Sequence, residues 1–318
     1  MAKKKKLRVA LIFGGTSQER EVSLISGKNV AQYLDKKKYI TEKIEVTKES
    51  SWIAKNIKKL LKSDVAFLAL HGPGGEDGTV QGMLDLLKIP YTFSGMLASA
   101  LAMDKAKTKR LVSSEGLLVA PHLLIKKNEY NKISKKYLAE IRGKVVIKPN
   151  RIGSSFGVTI TSDKQAIKKG VELAFKHDDE VMIEDYVSGK EFTVPVLGNK
   201  KLQALPVIEI VPKNGSEFFD FKAKYYTEYR DEIVPARISN SLAKKLQEIA
   251  VKIHDLLGCR GVSRSDFIVT NKGQIYFLEI NTIPGLTETS LVPQSAAVAG
   301  MSYSQFLDKL IQLALEKE

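Results

Sequence analysis

The sequence predicts an α/β protein whose first third forms an open, parallel sheet. Three observations carry that expectation. Leu7–Phe13 and Asp64–Leu70 are short, nearly continuous apolar runs, as strands buried on both faces require. Between them Val22, Ile25, Val30, Tyr33 and Leu34 recur near helical spacing. Both runs end in glycine-bearing loops, Gly14-Gly15-Thr16 and His71-Gly72-Pro73-Gly74-Gly75-Glu76-Asp77-Gly78, at the strand ends where such sheets place ligands. No G-x-G-x-x-G follows the first strand, which disfavours a dinucleotide fold.

Further elements follow in order. A helix is expected from Met103-Asp104-Lys105 to about Glu115, and then a strand at Val145–Lys148. From Val181 the pattern turns to strands at Val181–Tyr186, Glu191–Val196 and Ala204–Ile210. An amphipathic helix over Ser241–Leu257 aligns Leu242, Leu246, Ile249, Ala250, Ile253, Leu256 and Leu257, with Gly258 as its stop. Strands at Ser265–Val269 and Gln274–Ile280 are joined by the turn-forming Asn271-Lys272-Gly273.

The chain's 318 residues exceed one small core and imply two or three domains. Lys and Arg number 50 against 36 Asp and Glu, a formal charge of +14. Such a balance admits nucleic acid, acidic membranes or phosphorylated ligands as partners. The excess, however, is lysine scattered on helical faces (Lys58, Lys59, Lys62, Lys168, Lys169, Lys244, Lys245), without interleaved aromatics or a nucleic-acid-binding motif. It reads as solvated surface with local anion sites. A single cysteine excludes a disulfide scaffold and a Cys-based zinc site. The apolar run after the basic Met1–Lys6 is too short for a signal sequence, and Thr289–Leu307 is too polar to span a bilayer. A protein of the reducing cytoplasm, with neither membrane nor nucleic acid as partner, is expected.

Two constellations carry chemistry. After Lys148 comes Gly153-Ser154-Ser155-Phe156-Gly157, whose backbone N–H groups could converge on one anion beside an ammonium. It is not a P-loop, and alone it reads more readily as an ordinary surface turn. Second, alternation puts Arg264 with Asp266, and Glu279 with Asn281, on common strand faces. Across an antiparallel pair, Asp266, Glu279 and Asn281 would form an oxygen cluster suited to Mg²⁺. Taken singly, each residue is better explained by a salt bridge at a strand edge. It is their combination with the anion loop and the glycine turn Thr282-Ile283-Pro284-Gly285 that points to a site.

Together, Gly14-Gly15-Thr16-Ser17-Gln18-Glu19-Arg20-Glu21-Val22-Ser23, Leu70–Gly78, Met103-Asp104-Lys105, Lys148-Pro149 with the Gly153–Gly157 loop, and Glu279-Ile280-Asn281-Thr282-Ile283-Pro284-Gly285 closely resemble the D-alanine–D-alanine ligases. The resemblance runs from about Arg8 to Leu313. It implies an ATP-grasp fold: an N-terminal open parallel α/β domain (1–103), a central subdomain with the phosphate loop (104–190), and a C-terminal subdomain with lid, metal and second-substrate sites (191–318). The implied reaction joins two D-alanines through a D-alanyl phosphate, at the expense of ATP, for peptidoglycan precursor synthesis. A homodimer and two Mg²⁺ or Mn²⁺ ions are also implied.

By the same resemblance, Lys105 and Lys148 hold ATP phosphates under the lid containing Gly153, Ser154 and Ser155. Glu184 and the backbone of Val187 contact adenine, and Glu191 the ribose. Asp266, Glu279 and Asn281 ligate the metals. Arg264 and the Gly285 N–H face the tetrahedral oxyanion. Glu19, Ser154 and Tyr225 form a hydrogen-bonded trio, with Glu19 holding the first D-alanine's ammonium. Ser290 and Leu291 contact the second D-alanine, Lys224 points to the γ-phosphate, and His71 lines the substrate pocket. The Lys224-Tyr225 pair within Phe218–Tyr225 is similar to dipeptide-forming rather than D-lactate-using relatives. Three features depart from the family pattern: Asp185 where a lysine often meets the purine, the charged stretch from Tyr226 to Arg237, and the N-terminal lysine run. The rival readings are a D-lactate or D-serine acceptor, a silent nucleotide sensor, and a nucleic-acid binder.

Overall fold

The computed structural model describes residues 5–49, 51–130, 141–213 and 230–316. Lys224 and Tyr225, with the rest of the Phe218–Tyr225 stretch and the beginning of the 226–237 segment, lie outside the described residues.

The N-terminal part contains β1 (Leu7–Gly14), α1 (Arg20–Tyr33), β2 (Tyr39–Val46), α2 (Trp52–Leu60), β3 (Val65–Leu70), α3 (Thr79–Leu86) and α4 (Met96–Met103). Its sheet runs β2-β1-β3, all parallel, with Leu7 opposite Tyr39 and Val9 opposite Val65. Every residue of β3 is buried, which explains its unbroken apolar sequence. The edge strand β2 buries Tyr39, Ile44 and Val46 but exposes Ile40 and Lys43, so no continuous run announced it. Where β1 gives way to α1, the Ser23 hydroxyl accepts the Gly14 N–H at 2.8 Å and Gly14 and Gly15 both take positive φ. This tight turn sets Glu19 at the N-terminal end of α1.

Next come α5 (Lys105–Ser114), β4 (Leu118–Val119), β5 (His122–Lys126), β6 (Val145–Pro149), β7 (Thr159–Thr161), α6 (Lys164–Ala174) and β8 (Glu180–Asp185). An antiparallel sheet of order β5-β8-β6-β7 packs Val145, Ile147, Val181 and Ile183 against Ile167, Val171 and Ala174 of α6. Asp163 caps α6 by accepting the Ala166 N–H at 2.7 Å.

The remainder comprises β9 (Lys190–Gly198), β10 (Gln203–Ala204), β11 (Ile208–Pro212), β12 (Arg230–Ile233), α7 (Asn240–Leu256), β13 (Gly261–Val269), β14 (Ile275–Asn281), α8 (Leu291–Val298) and α9 (Tyr303–Ala314). The sheet order is β12-β11-β9-β13-β14-β4, with β10 added to β9. The helix α7 buries Leu246, Ala250 and Ile253 on this sheet, and Gly258 follows it with φ +64°, as the sequence stripe predicts. One expectation needs correcting. Ala204–Ile210 is two strands rather than one, because Leu205-Pro206-Val207 leaves the ladder and Pro206 has no N–H to give it.

The C-terminal helix bridges its own sheet, where Leu197 of β9 and Val262 of β13 join its core, and the N-terminal sheet. Phe306, Leu307, Leu310 and Ile311 of α9 share one core with Val9, Leu11, Phe67 and Leu68 of the N-terminal sheet. The rings of Tyr33 and Tyr303 meet edge-on at 5.1 Å, and Lys38 pairs with Asp308 at 2.9 Å.

Candidate active site between two sheets

A cavity of about 390 Å³ lies between the β5-β8-β6-β7 sheet and the larger sheet, which is antiparallel except where β4 runs parallel to β14. Val146, Ile160, Tyr186, Val187, Ile210, Ile268 and Leu278 give it apolar walls. Charged groups gather at its inner surface. Lys148, on β6, donates to Glu184 Oε1 at 2.5 Å, and Lys109, on α5, lies 2.9 Å from Glu184 Oε2. Burial alone would raise the Glu184 pKa, but the two ammoniums outweigh it and hold the carboxyl at about 2. Burial pulls Lys109 below the usual lysine range despite Glu184, whereas for Lys148 the carboxylates of Glu184 and Glu279 outweigh burial and raise it.

The first residue of α5, Lys105, donates to the Ile152 carbonyl at 2.9 Å and lies 3.7 Å from Glu279. The Gly153–Gly157 loop begins just past the end of β6, after Asn150-Arg151-Ile152. Ser154 and Ser155 adopt φ of +53° and +57°, a conformation that costs a side-chain-bearing residue free energy and turns successive backbone N–H groups to one side.

A second cavity, about 340 Å³, adjoins the first. Gly153, Ser154, Glu191, Asp266 and Glu279 line both. Its other walls bring Glu19, His71 and Glu76 from the N-terminal part, Arg264 and Asn281 from β13 and β14, Gly285 and Ser290 from the loop before α8, and Leu291 from the start of α8. Close contact explains two glycines: a Cβ on Gly153 would stand 3.2 Å from Glu19 Oε1, and one on Gly285 2.9 Å from Ser290 Oγ. The Ser290 hydroxyl is itself held by Thr287, at 2.7 Å through the side chain. His71 pairs with Ser26 at 2.9 Å, and burial drops its pKa to about 4, so the ring is neutral. Glu76 accepts the Gly72 N–H at 2.6 Å; burial first, then Glu19, push its carboxyl up.

At the shared wall, Asp266 faces Glu279 and Arg264 faces Asn281 across the β13–β14 ladder, a register set by a bulge between Asp266 and Phe267. Arg264 grips Asp266 in a two-pronged pair at 2.9 Å, and Thr193 donates to Asp266 Oδ1 at 2.5 Å. Asp266 Oδ1 is therefore filled, while Oδ2 retains a lone pair. Asn281 Oδ1 accepts the Ile283 N–H at 2.9 Å and can accept more. Among the described residues no group of three His, Cys, Asp or Glu side chains could cage a metal alone. Hard oxygens in an incomplete set do fit Mg²⁺ or Mn²⁺, which leave positions to phosphate oxygens and water.

Every described residue singled out in the sequence thus lines one cavity or the other. Sequence reasoning missed three. Lys109 looks like one more surface lysine, although it is fully buried. Glu209 and Arg237, 28 residues apart, close the first cavity's outer end through Nε–Oε2 and Nη2–Oε1 contacts of 3.0 and 3.3 Å. No local motif marks either partner.

A nucleotide-sized cavity held between two largely antiparallel sheets, beside an open parallel domain, is the arrangement of the ATP-grasp ligases, and the chain has this fold. Models of the D-ala D-ala ligase N-terminus and C-terminus match residues 8–61 with 54–94, and 111–312. The D-alanine--D-alanine ligases of Syntrophobacter fumaroxidans and Desulfotalea psychrophila are 48% and 44% identical to it, with alignments covering 98% of this chain and 98% and 96% of theirs. Among solved structures, a D-alanine--D-alanine ligase from Bacillus anthracis complexed with ATP superposes with a TM-score of 0.83 at 34% identity, covering 97% of each chain. The VanG D-Ala:D-Ser ligase from Enterococcus faecalis gives 0.84 at 36%, covering 98% of this chain and 100% of that one. The chain belongs to the D-alanine–D-alanine ligase family.

Proposed function

We propose that the protein joins two D-alanines into D-alanyl-D-alanine with ATP, supplying a peptidoglycan precursor. The observation that carries this reading is the wall common to both cavities. A triphosphate whose base lies in the apolar slot of the first ends at Asp266, Glu279 and the Gly153 loop, where the second begins.

In this reading adenine sits against Glu184 and Val187, the ribose meets Glu191, and Lys105, Lys148 and the N–H groups of Gly153, Ser154 and Ser155 hold the phosphates. Glu19 receives the ammonium of the first D-alanine, turning its carboxylate toward the shared wall. That carboxylate oxygen attacks the γ-phosphorus, the bond to the β-phosphate bridge breaks, and ADP and D-alanyl phosphate form. Ser290 and Leu291, at the start of α8, hold the second D-alanine's carboxylate. Its amine, after losing a proton, attacks the acyl carbon, and the C–O bond to phosphate breaks. Arg264 and the Gly285 N–H face the oxyanion of this step, a contribution typically worth about 3 kcal/mol per donor. Mg²⁺ or Mn²⁺, two ions held by Asp266, Glu279 and Asn281, would supply charge neutralisation at the phosphates. Lys224 and Tyr225 keep the roles that the motif likeness gives them, at the γ-phosphate and in the trio with Glu19 and Ser154. A cytoplasmic homodimer divided near residues 103 and 190 completes the reading.

The test is phosphate release by purified enzyme with Mg-ATP. Release that requires D-alanine and ignores L-alanine supports the proposal; release independent of D-alanine sinks it. The likeness to a D-Ala:D-Ser ligase favours one second reading, D-serine as acceptor. Product analysis from equimolar D-alanine and D-serine, with D-lactate as a third arm, separates these alternatives.

A further inference from the structure

We propose that Lys109, which lines neither cavity, is a positioning residue that makes the nucleotide site select a 6-amino purine. The inference rests on the reading above, in which the base meets Glu184.

Lys105 and Lys109 are one turn apart on α5 and so project from the same face. The first reaches the phosphate end of the cavity. The second runs beneath the sheet and ends, fully buried, 2.9 Å from Glu184 Oε2 and 3.3 Å from the carbonyl of Phe277. Glu184 therefore has a cation on each oxygen, Lys148 on Oε1 and Lys109 on Oε2. This double pairing does two things. It fixes the plane of the carboxylate, since neither oxygen can swing without breaking a buried ion pair. It also keeps the group ionised, and an ionised carboxylate accepts hydrogen bonds but donates none.

The lone pairs left facing the slot can be satisfied only by a donor. The exocyclic amine of adenine is one. The carbonyl at the same position of hypoxanthine or guanine is an acceptor and would set oxygen against oxygen in a desolvated slot. Sites built around a buried polar group reject the analogue that cannot pair with it far more strongly than apolar pockets do. Lys148 cannot enforce this alone, because it also faces the phosphates and Glu279. Without Lys109 the carboxylate would follow Lys148 away from the base.

The experiment compares ATP with ITP, whose base carries a carbonyl where adenine has its amine, in the wild type, Lys109→Met and Lys109→Arg. Lys109→Met should raise the KM for ATP about tenfold while kcat falls far less, and should lower the ATP-to-ITP ratio of kcat/KM by about tenfold or more. The KM for D-alanine at saturating ATP should stay put, and Lys109→Arg, keeping the charge, should recover most of the ratio. An unchanged ratio in Lys109→Met, or equal increases in the KM values for ATP and D-alanine, would overturn the proposal. Should Lys109→Met not melt cooperatively, Lys109→Gln keeps a donor to Glu184 without the charge and takes its place; if that variant also fails to fold, Lys109 is structural and the proposal falls. A wild type inactive with ATP and D-alanine would instead sink the ligase reading, so the two failures are distinct.

Discussion

Asn150 donates from Nδ2 to Asp104 Oδ1 at 2.9 Å, both side chains being buried. The Asn150 Oδ1 accepts in turn from the Ala106 N–H at 2.9 Å. One amide thus ties the end of β6 to the start of α5, and with them the two lysines, Lys148 and Lys105, assigned to the phosphates.

Replacing Asn150 with alanine strands these buried partners. The expected loss is about 2–4 kcal/mol of stability, two hydrogen bonds at about 1–2 kcal/mol each. A rise in the KM for ATP should accompany it, because Lys105 and Lys148 lose their common anchor. Urea unfolding and ATP titration check both; an unchanged KM would show that the lysines are held by other means.

Gly153→Ala puts a methyl against Glu19 Oε1, at 3.2 Å before any adjustment. The phosphate loop must retreat from the carboxylate assigned to the first D-alanine. We expect kcat/KM for D-alanine to fall about 10- to 100-fold, the usual penalty of a small misplacement. Stability should change by less than about 1 kcal/mol, since the half-buried loop faces open cavities on both sides and Glu19 Oε1 is the far end of a flexible side chain. Wild-type kinetics would refute the packing argument.

Chelation should stop phosphate release reversibly, with Mg²⁺ restoring it. Glu279→Gln, which keeps the shape but removes one anionic oxygen, should demand more Mg²⁺ for half-maximal rate and lower the maximal rate by about 100-fold or more. A normal magnesium dependence in that variant would remove Glu279 from the ligand set.

Acid should weaken the fold through two histidines. Burial lowers both His71 and His254 to about 4, below the ordinary histidine value of about 6.5. Between pH 6.5 and 4 the unfolded chain therefore binds more protons than the folded one. Their contribution is complete above pH 6.5 and is lost as pH falls toward 4, at up to about 3 kcal/mol each. His254→Asn, which can still reach Ser263, bonded to the imidazole at 2.7 Å, should remove roughly half of the drop seen by urea unfolding at pH 7.5 and 4.5. A wild type with no such drop would contradict the burial argument.

The sequence revealed what depends on neighbouring residues. Alternation along β13 and β14 put Arg264 with Asp266, and Glu279 with Asn281, on common faces and so foretold one cluster. The register that sets Asp266 opposite Glu279 was hidden, because it needs a bulge between Asp266 and Phe267 that counting back from the turn does not give. The continuous apolar run of β3 announced a strand covered on both faces. What escaped depends on distant chain meeting in space. Glu209 and Arg237 find each other across a sheet, and Lys109 is buried only because Glu184 waits 75 positions later. Burial of a lysine has no signature in spacing when its partner lies on another element. The edge strand β2 hid for a different reason: its solvent face carries charge, which blurs the pattern.

The placement of α9 bears on how the molecule is made. The N-terminal sheet buries part of its core under Phe306, Leu307, Leu310 and Ile311, which leave the ribosome some 240 residues after Leu68. Until then β1 and β3 keep an uncovered apolar face, the kind of surface that recruits chaperones or other nascent chains. The sheet translated first is thus completed only once α9 has been made, and a truncation within Tyr303–Ala314 would leave it without that cover.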